Sequence, residues 1–345
     1  MNHQQRDYLI EDLNTSFDDI KSIESLKNKV IFVSGACGFM GSWLLESILF
    51  LNSTYDFNIK VYATAKEIEK YKLKFPHLFI NNVECISLNI KNYLEIPEDV
   101  NYVLNLAGIP DIRVHSSDPI KVVDATLRGV ENMLSASSRL PNLEKFIHMS
   151  SGLIYGQVDN KLIEEDNVGT LPTLSSSMSY TESKRMAEVI CQVYRSQMRI
   201  PTIIFRPFTF IGPYQSMEMP WAINSFIREA FGGGPIRILG NIHTKRSCMY
   251  PSDMVYAILK GIVDGENGEC FNLGSEDYKT ILEISEIVSG CFPNRVQIEY
   301  PRVDYVEESY FVPSMKKMKL KFGFETKFDS TTSIKKTIEW FKLGN

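Results

Sequence analysis

Short runs of β-branched and aromatic residues alternate along this chain with longer stretches whose apolar positions recur every three to four residues. The runs at 30–33, 58–64, 83–88, 101–106, 145–149 and 202–205 read as buried strands. Between them, 42–51, 67–75, 119–138 and 179–197 carry helical spacing. Strands alternating with helices predict an α/β fold, a doubly wound parallel sheet covered on both faces. From about residue 212 the pattern changes. Short strands at 236–239, 270–273 and 296–299 mix with helices at 221–231, 252–261, 281–289 and 331–341, punctuated by glycine and proline. This predicts a smaller second unit on the carboxyl edge of the sheet, where open α/β sheets bind ligands. Residues 7–26 read as one or two short helices packed outside the sheet, as an edge cover or an oligomer contact. The expected division is therefore 1–28 as an extension, 29–211 as the sheet domain, and 212–345 as a second lobe with some segments returning to the first.

Composition narrows the function classes. The 345 residues are 44% hydrophobic and 23% charged, ordinary for a globular enzyme. A net charge of −5 and the lack of any basic stripe give no electrostatic case for nucleic acid. No apolar run is long enough for a bilayer and no apolar leader is read at the start, so a cytoplasmic location is expected. The six cysteines show no metal-type spacing and read as thiols in a reducing compartment. His115, His148 and His243 stand without carboxylates at ligand spacing. They are expected to be structural or surface residues, and no metal is assigned.

Two stretches carry chemistry. Residues 29–41 (KVIFVSGACGFMG) run from a strand through Gly35, Gly38 and Gly41 into a helix. Such a turn presents backbone N–H groups and a helix dipole to a diphosphate, with glycines allowing close approach. The second is 150–156 (SSGLIYG), followed by Tyr180 and Lys184. Four residues apart on a helix, Tyr180 and Lys184 share a face. An ammonium and a cationic nicotinamide would bring a phenol, ordinarily near pKa 10, into working range as a base. A serine at the end of the preceding strand can hydrogen-bond the same substrate oxygen.

With these motifs in order, the chain from about 29 to 342 resembles the extended short-chain dehydrogenase/reductase family, in its NAD-dependent epimerase/dehydratase branch acting on nucleotide sugars. Further matches are Asn105-Leu106-Ala107-Gly108, Arg206-Pro207-Phe208 through Gly212-Pro213, Arg246 through Tyr250 with Asp253, and Ile338-Glu339-Trp340. The resemblance implies a Rossmann-type domain with a smaller C-terminal α/β substrate lobe. It implies Tyr180 as catalytic acid/base, Lys184 as the partner that lowers its pKa and binds the nicotinamide ribose, and Ser151 as the active-site hydroxyl. Cofactor contacts are expected from Gly35, Gly38, Phe39, Met40, Gly41, Lys66, Asn89, Ile90, Leu106, Ala107, Gly108 and Pro207. Substrate contacts are expected from Thr209, Asn224, Arg246 and Arg302, the arginines gripping the diphosphate. A homodimer built on a pair of long helices is also implied.

Departures from the family pattern refine this reading. The Asp-Glu pair by which 4,6-dehydratases remove water is replaced by Gly152 and Leu153, and related decarboxylases keep the glutamate. That favours a nucleotide-sugar epimerase, most simply at C4, in surface-polysaccharide or deoxysugar synthesis. A 4-ketoreductase or 4,6-dehydratase is the alternative, and a non-catalytic dinucleotide-binding protein a remote one. At the end of the second strand, Thr64-Ala65-Lys66 has no acid to hold the ribose of NAD. Lys66 there is either a partner for the phosphate of NADP or a solvated side chain, so NAD and NADP both remain open.

Overall fold

The computed structural model describes residues 1–301 and 309–344. Its centre is a seven-stranded parallel sheet. The first six strands are β1 (Val30–Ser34), β2 (Lys60–Ala65), β3 (Val83–Ser87), β4 (Tyr102–Asn105), β5 (Lys145–Met149) and β6 (Thr202–Pro207). Two short strands follow, β7 (Ile236–Arg237) and β8 (Lys245–Ser247), before β9 (Glu269–Leu273) rejoins the sheet. The spatial order is β3-β2-β1-β4-β5-β6-β9. It reverses between β1 and β4, so the carboxyl ends of those strands open a crevice.

Alternation along the strands sorts side chains into two cores. Ile31, Val33, Leu104, Ile147 and Phe205 point to one face, whereas Phe32, Val103, Phe146 and Ile204 point to the other. The first face is covered by α2 (Phe39–Tyr55), after α1 (His3–Ser16), and by a later helix, Pro251–Asp264. The second is covered by two long helices, Pro119–Ser137 and Ser179–Met198. With α3 (Ile68–Lys74) and α4 (Ile112–Ser117) preceding them, these are α5 and α6. Next come α7 (Ala222–Phe231) and α8, the Pro251–Asp264 helix.

The N-terminal extension does not cover a sheet edge. Helix α1 lies across helices, burying Leu9 and Leu13, with Phe17 just beyond it. Its buried Asp12 accepts a 2.6 Å hydrogen bond from Tyr250 and pairs with Lys336 at 2.7 Å, while Ser16 donates to Asp253 at 2.7 Å.

Residues 270–273, expected in the second lobe, form most of the seventh strand of the main sheet. A short strand buried on both faces has no alternation that tells which sheet it joins. The second lobe instead has a core of its own, including Ile227, Ile236, Ile284 and Ile338. It also holds a small sheet in the order Tyr278–Thr280, β8, Tyr310–Phe311. None of these three strands exceeds three residues, too short to leave a period in the sequence.

Candidate active site

The turn after β1 is built for close backbone approach. Gly35 has φ +74°, and a Cβ there would sit 2.8 Å from the backbone N and Cα of Ala107. At Gly41 a Cβ would meet the Gly35 carbonyl at 2.5 Å, so α2 packs directly on the turn. Gly38 caps α2 with no side chain, leaving the first N–H groups of the helix to an external anion. Ser34 ties this turn to the end of β4, donating to Asn105 at 2.9 Å while its oxygen receives the Ala107 N–H at 3.4 Å. Leu106, Ala107 and Gly108 thus lie beside the turn across the switch point. These features fit a dinucleotide: a glycine cradle, free helix donors and an adjacent strand end.

The outer parts of that crevice are less distinctive. Lys66 is exposed just past β2. Asn89 is half-buried and uses its side-chain oxygen on the Lys91 N–H at 3.2 Å. Ile90 packs on Gly129 of α5, where a Cβ would come within 2.6 Å of Ile90 Cδ1. Phe39 and Met40 turn into the core beside α2, and Pro207 ends β6.

The reactive cluster gathers where β5 ends. Ser151 stands in extended conformation after the strand, and its hydroxyl oxygen receives the Leu153 N–H at 3.1 Å. The same side chain stands beside the Tyr180 phenol and favours its ionised form. Burial raises the phenol's pKa, and the Ser151 side chain opposes that rise. Lys184, one turn along α6, is 5% exposed and donates to the Met149 carbonyl at 2.6 Å. Desolvation lowers its pKa to about 8. No hydrogen bond joins Lys184 to the phenol here, so it is Ser151 that favours the phenolate in this arrangement.

Two histidines that the sequence reading set aside complete the cluster. His148 lies buried on β5 beside Lys184, held neutral by desolvation and the neighbouring ammonium. Its Nδ1 is 3.3 Å from the Asn105 amide. His115 stacks flat on Tyr180, with ring centroids 4.2 Å apart and planes at 12°. Nothing in the spacing of residues 115 and 180 announces that contact.

On the substrate side, Gly152 touches an aromatic wall. A Cβ there would come within 3.0 Å of the Phe208 and Phe311 rings, whose centroids are 4.7 Å apart. The Arg246 guanidinium lies 5.6 Å over the Phe311 ring and donates to its neighbour's backbone, the Lys245 carbonyl, at 2.8 Å. No carboxylate pairs with it among the described residues. Arg246 therefore reaches the wall that begins at Gly152, although it lies 94 positions away in sequence. Thr209 is half-buried next to Phe208, its carbonyl bonded by the Met249 N–H at 3.0 Å. Asn224 is fully buried within α7 and donates to the Ser216 carbonyl at 2.9 Å. No contact joins it to the Tyr180 cluster. Arg302 lies outside the described residues. Among those residues no group of side chains could hold a metal ion, and no helix is long and apolar enough to cross a membrane.

A Rossmann-type sheet with a glycine turn and a serine–tyrosine–lysine cluster defines a class of nicotinamide-dependent enzymes, and sequence comparison places the chain within it. Residues 31–274 match the model of the NAD dependent epimerase/dehydratase family, and the chain belongs to that family. It is similar to the UDP-N-acetyl-alpha-D-glucosaminuronate decarboxylase of Bacillus cytotoxicus, at 27% identity over 91% of this chain and 98% of the relative. It is also similar to the dTDP-D-glucose 4,6-dehydratase of Bos taurus, at 26% identity over 91% and 89%. In fold it matches the UDP-glucuronic acid 4-epimerase of Bacillus cereus, solved with NAD. The TM-score there is 0.76, with 23% identity over 91% of this chain and 99% of that one. The protein is thus an enzyme of a family whose members are nucleotide-sugar epimerases, decarboxylases and dehydratases.

Proposed function

We propose that the protein is a nucleotide-sugar epimerase acting at C4 through transient oxidation of the sugar, with NAD held in the glycine crevice. The observation that carries this reading is the pair Gly152–Leu153 directly after Ser151, with the Phe208 and Phe311 rings against Gly152. Among the described residues, no carboxylate hydrogen-bonds Ser151 or Tyr180. Elimination of water or control of a carboxylate leaving as carbon dioxide needs a further acid or base beside the sugar. Moving a hydride and a proton at one carbon does not.

When bound, the nicotinamide supplies a reversible hydride acceptor. Tyr180 takes the proton of the sugar hydroxyl as that carbon is oxidised and returns it after the keto sugar has presented its other face. Ser151 hydrogen-bonds the same oxygen and favours the phenolate. Lys184 adds positive charge beneath the site. Arg246, half-buried and without an acidic partner among the described residues, is suited to the substrate diphosphate, since a planar fork of donors matches phosphate oxygens. NAD is preferred to NADP from the family and the NAD-bound structural neighbours.

The outward side of α6 exposes Met186, Val189 and Val193, and Ile120 is exposed at the start of α5. A second copy packing on these two helices would cover that surface, and sedimentation equilibrium should find a dimer.

The test of function is mass analysis of products from UDP-, dTDP-, GDP- and CDP-sugars with catalytic NAD and no reductant. An epimerase returns a sugar of unchanged mass and new stereochemistry, and Tyr180→Phe abolishes the conversion. Loss of water or carbon dioxide overturns the reading. So does turnover that appears only when a 4-keto sugar and stoichiometric NADH are supplied.

A further inference from the structure

The flat contact between His115 and Tyr180 is not used by the chemistry above, yet it bears on the residue that matters most. Tyr180 is held from three directions. The Ser151 side chain stands beside its hydroxyl, its own helix carries it, and the His115 ring covers one face at 4.2 Å with a 12° tilt. His115 is only 8% exposed, on the short helix α4 that follows the cofactor loop. Its Nε2–H donates to the Ile109 carbonyl at 2.6 Å, which fixes the tautomer and the plane of the ring. Asp111 on the same loop is an acid whose charge His115 feels, and Arg113 engages it through both carboxylate oxygens.

We propose that His115 is a positioning residue for the reaction: an aromatic plate, anchored to the cofactor loop, that fixes the plane of the Tyr180 ring and keeps water from one face. A stacked ring pair is favourable beyond its burial, which selects one orientation of the phenol plane. Because proton transfer depends steeply on placement, about 1 Å of drift in a reacting group costs on the order of 100-fold in rate. The plate acts through its flat shape and its anchor. It does not touch the sugar or exchange a proton with it. The link to Ile109 also means that settling of the cofactor loop is felt at the phenol. This proposal rests on the epimerase reading for its kinetic part and on the stack alone for its physical part.

The experiment compares His115→Ala with His115→Phe in the full chain. In His115→Ala, kcat should fall roughly 10- to 100-fold while KM and NAD affinity change less than about threefold. In His115→Phe, which restores the flat ring without the Ile109 anchor, kcat should recover part of the way, to between the Ala variant and the parent. A second readout needs no substrate. Tyrosinate absorbance is titrated in each protein and referenced to the same protein carrying Tyr180→Phe, which isolates the Tyr180 ionisation. Water reaching the uncovered face should lower the Tyr180 pKa in His115→Ala by about one unit, and His115→Phe should restore it. Equal kcat in the Ala and Phe variants, or an unmoved Tyr180 titration in His115→Ala, overturns the proposal. If the parent turns over no nucleotide sugar, the functional reading fails by itself and the titration still decides the stack.

Discussion

The two walls of the active site are made in opposite ways. The cofactor wall is local: β1, three glycines and the first turn of α2 follow one another within a dozen residues, and each glycine has a steric reason to be there. The proposed substrate wall is assembled from distance. Gly152, Phe208, Arg246 and Phe311 come from four separate segments and meet only because the small sheet sets β8 beside Tyr310–Phe311. A wall of the first kind tolerates little change and recurs wherever dinucleotides bind. One of the second kind changes whenever a loop does, which would suit a surface that selects a substrate.

The comparison breaks most sharply at Gly35. Alanine there must adopt φ +74° and place its Cβ 2.8 Å from the backbone of Ala107. Left-handed backbone costs about 1–2 kcal/mol for a residue with a Cβ, and the clash with a strand end adds roughly 1–3. Gly35→Ala should lower unfolding free energy by about 2–5 kcal/mol and weaken NAD binding on the order of 100-fold. Calorimetry would measure the first and fluorescence titration with NADH the second. Undiminished cofactor affinity would mean that the turn is not the diphosphate site.

A milder change separates the walls. Arg246→Ala removes a half-buried guanidinium that holds no carboxylate among the described residues, so the fold should lose little. Hydrogen bonds to a charged partner contribute about 1.5–3 kcal/mol, which predicts a 10- to 100-fold rise in KM for the nucleotide sugar. NAD affinity should be unchanged and kcat nearly so. Steady-state kinetics with both ligands varied would show whether the two walls are independent.

This division also explains what could be read from the chain. The central sheet, the glycine turn and the Tyr180–Lys184 spacing were legible because each is a contiguous pattern with a fixed period or turn. The strand at Lys245–Ser247 was not, since three residues carry no period, although Arg246 within it was found through family resemblance. Residues 270–273 were legible as a strand but not as part of the main sheet, because pairing with β6 depends on long-range topology. His115 was set aside for want of a metal-type partner. Its real partner is an aromatic face brought from α6, and no local signal encodes a stack between residues 65 positions apart.

The smallest expected effect lies between the walls, at Lys184. Its pKa in the folded protein, lowered from 10.5 to about 8, corresponds to roughly 3 kcal/mol of unfavourable desolvation before the Met149 hydrogen bond offsets part of it. The sign follows from proton counts. Between about pH 8 and pH 10.5 the unfolded chain keeps this proton and the folded one does not, so stability rises with pH across that window. Below pH 8 the full penalty is present. Lys184→Met, close in size and uncharged, removes it and should therefore gain about 1 kcal/mol near neutral pH, while turnover collapses for lack of the ammonium. Above pH 8 the difference from the parent should shrink as the native lysine discharges. Urea unfolding of both proteins at about pH 7 and about pH 9.5 would measure this closing gap. A variant that is less stable than the parent at both values would mean that the hydrogen bond to Met149 outweighs desolvation, making this lysine a structural asset to the fold as well as a working part of the site.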